Sequence, residues 1–407
     1  MNKKYLAHQI KTSDEAFSVL VDKGLVLIHG DPRVGKTRTA IRVCEKLPIK
    51  RVLVLTKKAA ISGWESEIKA VNPDTHFYVT NYEQAKKLNA DDYELVIADE
   101  SHTLGKVGRP TQRFLAVRKL AFNKPVIFLS GTPAVEKLLT FYYQFTITKY
   151  SPFKNFKNFY DFFRHYGIPN TIKINGNTIE QYNRNKPELV DVVAPYIVQL
   201  TQEQAGITIQ AVDKIHTIPL HSRTKKLIAQ ILEHSVATIK GKEYGFDSDM
   251  GVRTVVHQIE SGAALLDEEL VMLQNNEMVD YIRDTFGDSP DVAVMAHFRS
   301  TRQKIAQHLP NVHIYSSDGN AEGVSLADYK HFVIANSGYS GAKFIQRRER
   351  GVNLNKKIDS VVNHLVTDAG VSEQVYKQVS KKLDFNLRLF RSVRKRHSKE
   401  NNKGAGI

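Results

Sequence analysis

Five short apolar runs punctuate the first part of the chain, at residues 25–28, 51–55, 77–80, 95–98 and 126–129. Amphipathic or polar stretches separate them. Continuous apolar runs belong to strands buried on both faces, and this alternation predicts a parallel α/β sheet. A helix leads into it, with Thr12 and Glu15 placed as a capping box and Gly24 as its stop. Ala40, Val43, Cys44 and Leu47 recur at helical spacing and predict a second helix after residue 37. From 141 to 166 the pattern changes to twelve Phe and Tyr residues interleaved with Lys149, Lys154, Lys157, Arg164 and His165. Such density could stack bases, but a helical core is the reading adopted. Helical stretches follow, including 224–239, around a turn at Asn175-Gly176-Asn177. A second α/β unit is expected with strands at 292–296, 312–315, 332–335 and 361–366, then a helix carrying Val371, Val375, Val379 and Leu383. The expected domains are therefore 1–145, a mainly helical insertion and linker at 146–275, a second domain at 276–395, and a basic polar tail at 396–407.

In parallel sheets, ligands bind beyond the carboxyl ends of the strands, and three strand ends carry chemistry. Gly30-Asp31-Pro32-Arg33-Val34-Gly35-Lys36-Thr37 lies between a strand and a helix and has the spacing of a phosphate-binding loop. In such a loop backbone N–H groups face phosphate oxygens, Lys36 neutralises phosphate charge, and the Thr37 hydroxyl is placed for Mg²⁺. Ala98-Asp99-Glu100-Ser101-His102 ends another strand. Asp99 is placed to hold the metal and Glu100 to orient and deprotonate an attacking water. Ser130-Gly131-Thr132-Pro133 puts hydroxyls at the end of a third.

Composition narrows the partners. Among 407 residues, 58 Lys+Arg against 43 Asp+Glu give a net charge of +15, which favours polyanions. No apolar run approaches the roughly 18–20 residues of a membrane span, and no apolar signal core follows the N-terminus. The single cysteine, Cys44, excludes an internal disulfide and a cysteine metal cluster, and falls on an apolar helix face. A reducing cytoplasm is the expected location. The histidines have no metal-ligand spacing, so no structural metal is expected.

G-x-x-x-x-G-K-T, D-E-x-H and S-G-T-P in this order resemble superfamily 2 helicases. Finer features resemble the Swi/Snf-like ATPases within that group. They are residues 57–68, with Lys57, Trp64 and an acidic-x-Glu-Ile run; Thr80-Asn81-Tyr82-Glu83; and the aromatic segment 153–159. Leu6-x-His8-Gln9 is similar to the motif whose Gln reads adenine. Ala296-His297-Phe298-Arg299-Ser300 resembles the opening motif of a second RecA-like domain, and Gln346-Arg347-Arg348-Glu349-Arg350 resembles the arginine-finger motif. In its compactness the chain resembles bacteriophage-encoded members.

The resemblance implies two tandem RecA-like domains, ATP and Mg²⁺ as cofactors, and DNA, single-stranded, duplex or forked, as partner. Catalysis would use Lys36, Glu100, Gln346 and Arg350. Gln9, Gly30, Gly35, Lys36, Thr37 and Arg347 would bind nucleotide, and Thr37 and Asp99 the metal. His102, Ser130 and Thr132 would couple nucleotide state to DNA, and Lys57, Trp64, Asn81, Tyr82 and Arg299 would contact nucleic acid. The implied function is a DNA helicase or translocase working with replication, recombination or repair proteins. The alternatives are a translocase that remodels branched DNA or protein–DNA complexes without separating strands, and a binding module with an inactive ATPase. Three departures stand out, one being that Asn336-Ser337-Gly338-Tyr339-Ser340-Gly341-Ala342 matches the motif before the arginine finger only loosely. Arg33 occupies a position where glycine is usual, and Asn353 replaces the motif's second arginine, a role left to Arg347, Arg348 or a single finger.

Overall fold

The computed structural model describes residues 4–134, 137–174, 177–207, 211–317, 326, 329–348 and 360–381. They divide into two compact units, one running to Thr208 and one spanning Ile209–Leu383.

The first unit holds helices α1 (Ala7–Lys23), α2 (Lys36–Glu45), α3 (Ile61–Val71), α4 (Gln112–Ala121), α5 (Phe141–Phe145), α6 (Phe159–Tyr166) and α7 (Glu188–Val193). Its strands are β1 (Leu25–Gly30), β2 (Arg51–Thr56), β3 (His76–Asn81), β4 (Leu95–Asp99), β5 (Val126–Ser130), the pair β6 (Thr171–Ile174) and β7 (Asn177–Glu180), and β8 (Ile197–Leu200). Six of these form one parallel sheet in the order β3-β2-β4-β5-β1-β8. The apolar runs supply both of its faces. Leu25, Leu27, Val96 and Phe128 pack to one side with the aromatic block, while Val26, Ile28, Ile97 and Leu129 pack to the other against α1, α2 and α3.

The aromatic block is core, as its density suggests. Phe141, Phe145, Phe153, Phe159 and Phe162 are fully buried, so residues 141–166 continue the first unit's interior rather than opening a separate insertion. The pair β6–β7 is an antiparallel hairpin, whose turn residues 175–176 lie outside the described residues. Helix α1 begins at Ala7, ahead of the Thr12–Glu15 capping box, and Thr12 is buried within it. The Leu6 N–H instead donates to Gln9 Oε1 at 3.0 Å. Gly24 does stop the helix, at φ 71°, where the Tyr150 ring leaves no room for a Cβ.

The second unit contains β9 (Ala211–Ile218), α8 (Ser222–His234), the hairpin β10 (Val236–Ile239) and β11 (Lys242–Gly245), α9 (Asp249–Ile259), and the hairpin β12 (Ala263–Leu266) and β13 (Glu269–Met272). Then come α10 (Glu277–Phe286), β14 (Val292–Ala296), α11 (Arg299–His308), β15 (His313–Ser316), β16 (His331–Asn336), α12 (Gly341–Arg348), β17 (Ser360–Thr367) and a closing helical segment at 372–381. Five strands form a second parallel sheet, β15-β14-β16-β17-β9. The architecture is thus two parallel-sheet α/β units in tandem. The region expected as a helical insertion is split: residues up to 208 belong to the first unit, and β9 is an edge strand of the second sheet. Helix α8 also ends early, because Ser235 turns left-handed (φ 56°) and residues 236–239 become a hairpin strand.

Candidate active site

The strand order decides which polar turns meet. β4, β5 and β1 are consecutive in the first sheet, so the phosphate loop, the Ser130-Gly131-Thr132 turn and the Asp99-Glu100 pair leave three adjacent strand ends. Asp99 lies in register with Leu129, and His29 with Ser130.

The loop is strained backbone held by named contacts. Arg33 has φ 64° and Gly35 φ 84°. The first explains why glycine is usual at position 33: a side chain there adopts the left-handed region at a cost of about 1–2 kcal/mol. A Cβ at Gly35 would fall on the Gln9 amide, so Gln9 lies against the loop, and His8 Nε2 lies 3.1 Å from the Val34 carbonyl. Lys36 Nζ donates to the carbonyls of Gly30 (2.8 Å) and Asp31 (3.0 Å). Thr37 follows on the first turn of α2. From the other side, the Asp31 N–H donates to the Leu200 carbonyl at 2.9 Å, and Asp31 Oδ2 accepts the Gln202 N–H at 2.8 Å. His29 Nε2 lies 3.1 Å from the Gly131 carbonyl, and burial pushes this imidazole down to about 4, so the neutral ring donates there.

The acidic pair is buried and oriented. Asp99 Oδ2 accepts from Thr56 Oγ1 (2.7 Å) and Trp64 Nε1 (2.9 Å), and Oδ1 from the Glu100 N–H (3.0 Å). Burial, then the Glu100 charge, raises the Asp99 carboxyl above its ordinary range, against the Trp64 and Thr56 hydrogen bonds and the Lys36 charge. Glu100 stands in left-handed backbone at φ 49°. Burial would raise its carboxyl too, but the His102 hydrogen bond and the charges of His102, Lys36 and Lys57 hold it at about 2. Asp99 and Glu100 thus differ in direction, the pattern that separates roles in paired carboxylates.

A polar chain leads away from the pair. His102 Nδ1 lies 3.2 Å from Glu100 Oε2 and 3.1 Å from Ser130 Oγ, which accepts the Thr132 N–H at 3.1 Å. Ser101 Oγ donates to Gln144 Oε1 (3.2 Å), and Gln144 Nε2 to the Pro133 carbonyl (2.7 Å). Thr132 Oγ1 is buried without a hydrogen-bond partner.

The structure therefore gathers Gln9, Gly30, Gly35, Lys36, Thr37, Asp99, Glu100, His102, Ser130 and Thr132 at one end of one sheet. It does not support Trp64 and Tyr82 as nucleic-acid contacts: they are 2% and 4% exposed, and Tyr82 Oη donates to the Asp99 carbonyl at 2.6 Å. Asn81 caps the following turn through the Gln84 N–H, Lys57 is half-buried, and Arg299 is exposed on α11. In the second unit Gln346 and Arg347 lie on α12, with Arg347 buried. Arg348 is committed to Asp213 (Nε–Oδ2, 2.7 Å), which also binds His364 Nε2 at 2.9 Å. Arg350 and Asn353 lie outside the described residues. Sequence reasoning missed Thr56, Gln144, His29 and the Asp31–Gln202 contact. Thr56 had a signal, as the polar last residue of an apolar strand next to β4. Gln144 had none, being hidden among aromatics.

Among the described residues no helix is long and apolar enough to cross a membrane, and no group of three or more His, Cys, Asp and Glu side chains could hold a metal. No curated protein matches the chain significantly. Among solved structures it is similar to the crystal structure of the Pyrococcus furiosus Hef helicase domain, at 12% identity over 91% of this chain and 96% of that one, with a TM-score of 0.49. Residues 75–262 match the family model described as the SNF2-related domain, a span that holds the acidic pair and the Ser130 turn and begins downstream of the phosphate loop.

Proposed function

We propose that this chain is an ATP- and Mg²⁺-dependent translocase or helicase acting on DNA. The observation that carries the reading is the meeting of three polar turns at adjacent strand ends, with Lys36 close enough to act electrostatically on both Asp99 and Glu100. The match to an SNF2-related domain supports the same class. The residues fit a nucleoside triphosphate: a glycine-bounded loop opens α2, its lysine caps loop carbonyls, and carboxylates stand two strands away.

In this reading Gln9 faces the base, the loop N–H groups and Lys36 take the phosphates, and Thr37 with Asp99 would hold magnesium. The metal would neutralise phosphate charge when bound. Glu100, ionised by its neighbours, accepts the proton of the attacking water, and its link to His102, Ser130 and Thr132 offers a route by which the nucleotide state could reach DNA. Arg350 is the proposed arginine finger, with Gln346 and Arg347 beside it in sequence.

The test is ATP turnover titrated with single-stranded, duplex and forked DNA, run beside a strand-separation assay. Turnover stimulated by DNA is the expected result, and turnover indifferent to every DNA would overturn the reading. Stimulation without strand separation selects the remodelling translocase. DNA affinity should also fall linearly in log–log with salt, losing about 2–3 decades between roughly 50 and 200 mM for about five phosphate contacts. A salt-independent affinity would mean base readout instead.

A further inference from the structure

Three elements converge on Asp99. Thr56 is the last residue of β2, which pairs with β4 through Leu55 and Ala98, and it is fully buried. Trp64 is on α3. Both donate to the same oxygen, Oδ2, while the Glu100 N–H donates to Oδ1 and Tyr82 Oη holds the residue's own carbonyl. A carboxylate at a strand end can ordinarily swing about two torsions; donors fixed on a strand and a helix remove that freedom. Since Oδ2 carries both side-chain donors, Oδ1 is the oxygen with more acceptor capacity left.

From this geometry we propose that Thr56 and Trp64 are positioning residues which fix the Asp99 carboxylate so that Oδ1 meets the magnesium of bound ATP. The proposal rests on the reading above. It also gives Trp64 a role other than the nucleic-acid contact expected of it. Groups that orient a metal ligand from behind typically change metal affinity or activity by about 10–100-fold when lost. The arrangement has a built-in reporter, because Trp64 is the chain's one tryptophan. An indole whose N–H is bonded to the metal's ligand should change emission when the metal arrives.

The experiment uses the full chain, its Thr56→Val, Thr56→Ser, Trp64→Phe and Asp99→Asn variants, and a non-hydrolysable ATP analogue. Parent emission is expected to change with analogue plus Mg²⁺ but not with analogue plus chelator, and Asp99→Asn should abolish the change. Thr56→Val and Trp64→Phe should each raise the Mg²⁺ needed for half-maximal turnover by about 10–100-fold, while Thr56→Ser, which keeps the hydroxyl, stays within about threefold of the parent. A purely structural role would damage Thr56→Ser as much as Thr56→Val, and that result overturns the proposal. So does emission blind to Mg²⁺ in a parent that turns over ATP, or a Thr56→Val variant with the parent's Mg²⁺ dependence. Should Trp64→Phe fail to fold by circular dichroism, the Thr56 series decides. A parent that binds the Mg²⁺ analogue with an emission change yet hydrolyses nothing would sink the ATPase reading and leave the positioning role standing.

Discussion

Each unit is built on its own parallel sheet, but the two finish their strand ends differently. In the second, several polar groups beyond β14 and β16 bond one another. Asn336 Oδ1 accepts the His297 N–H at 2.7 Å and its Nδ2 donates to Thr301 Oγ1 at 2.7 Å, while Ser261 Oγ lies 2.6 Å from the same hydroxyl. Gln258 Oε1 accepts from Ser300 Oγ and the Leu265 N–H, both at 2.8 Å. Its charges act as anchors: partly buried Asp213 ties Arg348 and His364 together, and the buried Lys304 Nζ caps the Leu273 carbonyl at 2.8 Å. In the first unit, a lysine and two carboxylates lie close together, and Arg33, Gly35 and Glu100 have positive φ. Neutral hydrogen-bonded networks of this kind make an end rigid. Concentrated charge on strained backbone makes an end that a charged ligand can relieve, and strain of this kind clusters at functional sites.

The largest expected effect tests that contrast directly. Glu100→Gln keeps shape and the His102 neighbour but removes the base, so ATP turnover should fall by about 10²–10⁴-fold while nucleotide is still bound. Lys36→Ala should cost about 10²–10³-fold through lost charge stabilisation, with DNA affinity nearly intact. Turnover rates from rapid-quench assays and binding of a fluorescent nucleotide separate the two. If Glu100→Gln loses nucleotide binding instead, the left-handed turn is a folding device and the two strand ends are alike in being structural.

Much of this contrast was legible in the chain. Each expected strand of both sheets, from residues 25–28 to 361–366, overlaps an observed one, because buried parallel strands are continuous apolar runs. The phosphate loop, Asp99, Glu100 and Ser130 could be placed because each follows such a run. Edge strand β9 was not legible: Val212-Asp213-Lys214-Ile215-His216 mixes charge with apolar residues, since only one neighbour covers it and Asp213 serves Arg348. Hairpin β10–β11 hid behind the helical periodicity of α8. The motif resemblance of Trp64 and Tyr82 carries no information on which way their rings face, and only the tertiary structure shows their polar tips turned inward to Asp99.

The first unit's strand ends rest on a core that the aromatic block helps to build. Phe162 is fully buried, with ring centroids 4.9 Å from Tyr142, 4.8 Å from Phe153 and 5.3 Å from Tyr166. Phe162→Ala should cost about 3–5 kcal/mol, the range for truncating a buried aromatic. Because residues 141–166 share a core with β1, β4 and β5, the loss should appear in the same unfolding transition that ends nucleotide binding. Denaturant titration followed by circular dichroism and by a bound fluorescent nucleotide would show it. Two separate transitions would mean the block folds as a module of its own.

A smaller effect, on the order of 3 kcal/mol, belongs to the second unit and runs through pH. Glu260, 1% exposed, accepts the Val371 and Ser372 N–H groups through Oε1, capping the helical segment at 372–381, while Oε2 is buried without a hydrogen-bond partner. Burial raises its carboxyl from the ordinary 4.5 to about 7, against those hydrogen bonds. Between these values the folded chain keeps a proton that the unfolded chain has released. The stabilisation is therefore fully present below about pH 4.5 and is lost as pH climbs to about 7, a change on the order of 3 kcal/mol. Glu260→Gln keeps an acceptor oxygen but cannot ionise. Its stability relative to the parent should rise steadily from pH 5 to pH 7.5 and then level off, read as the difference between denaturant midpoints at each pH. A difference that stays flat across that window would show that the carboxylate enters the fold already charged, with the Val371 and Ser372 N–H groups as its compensation.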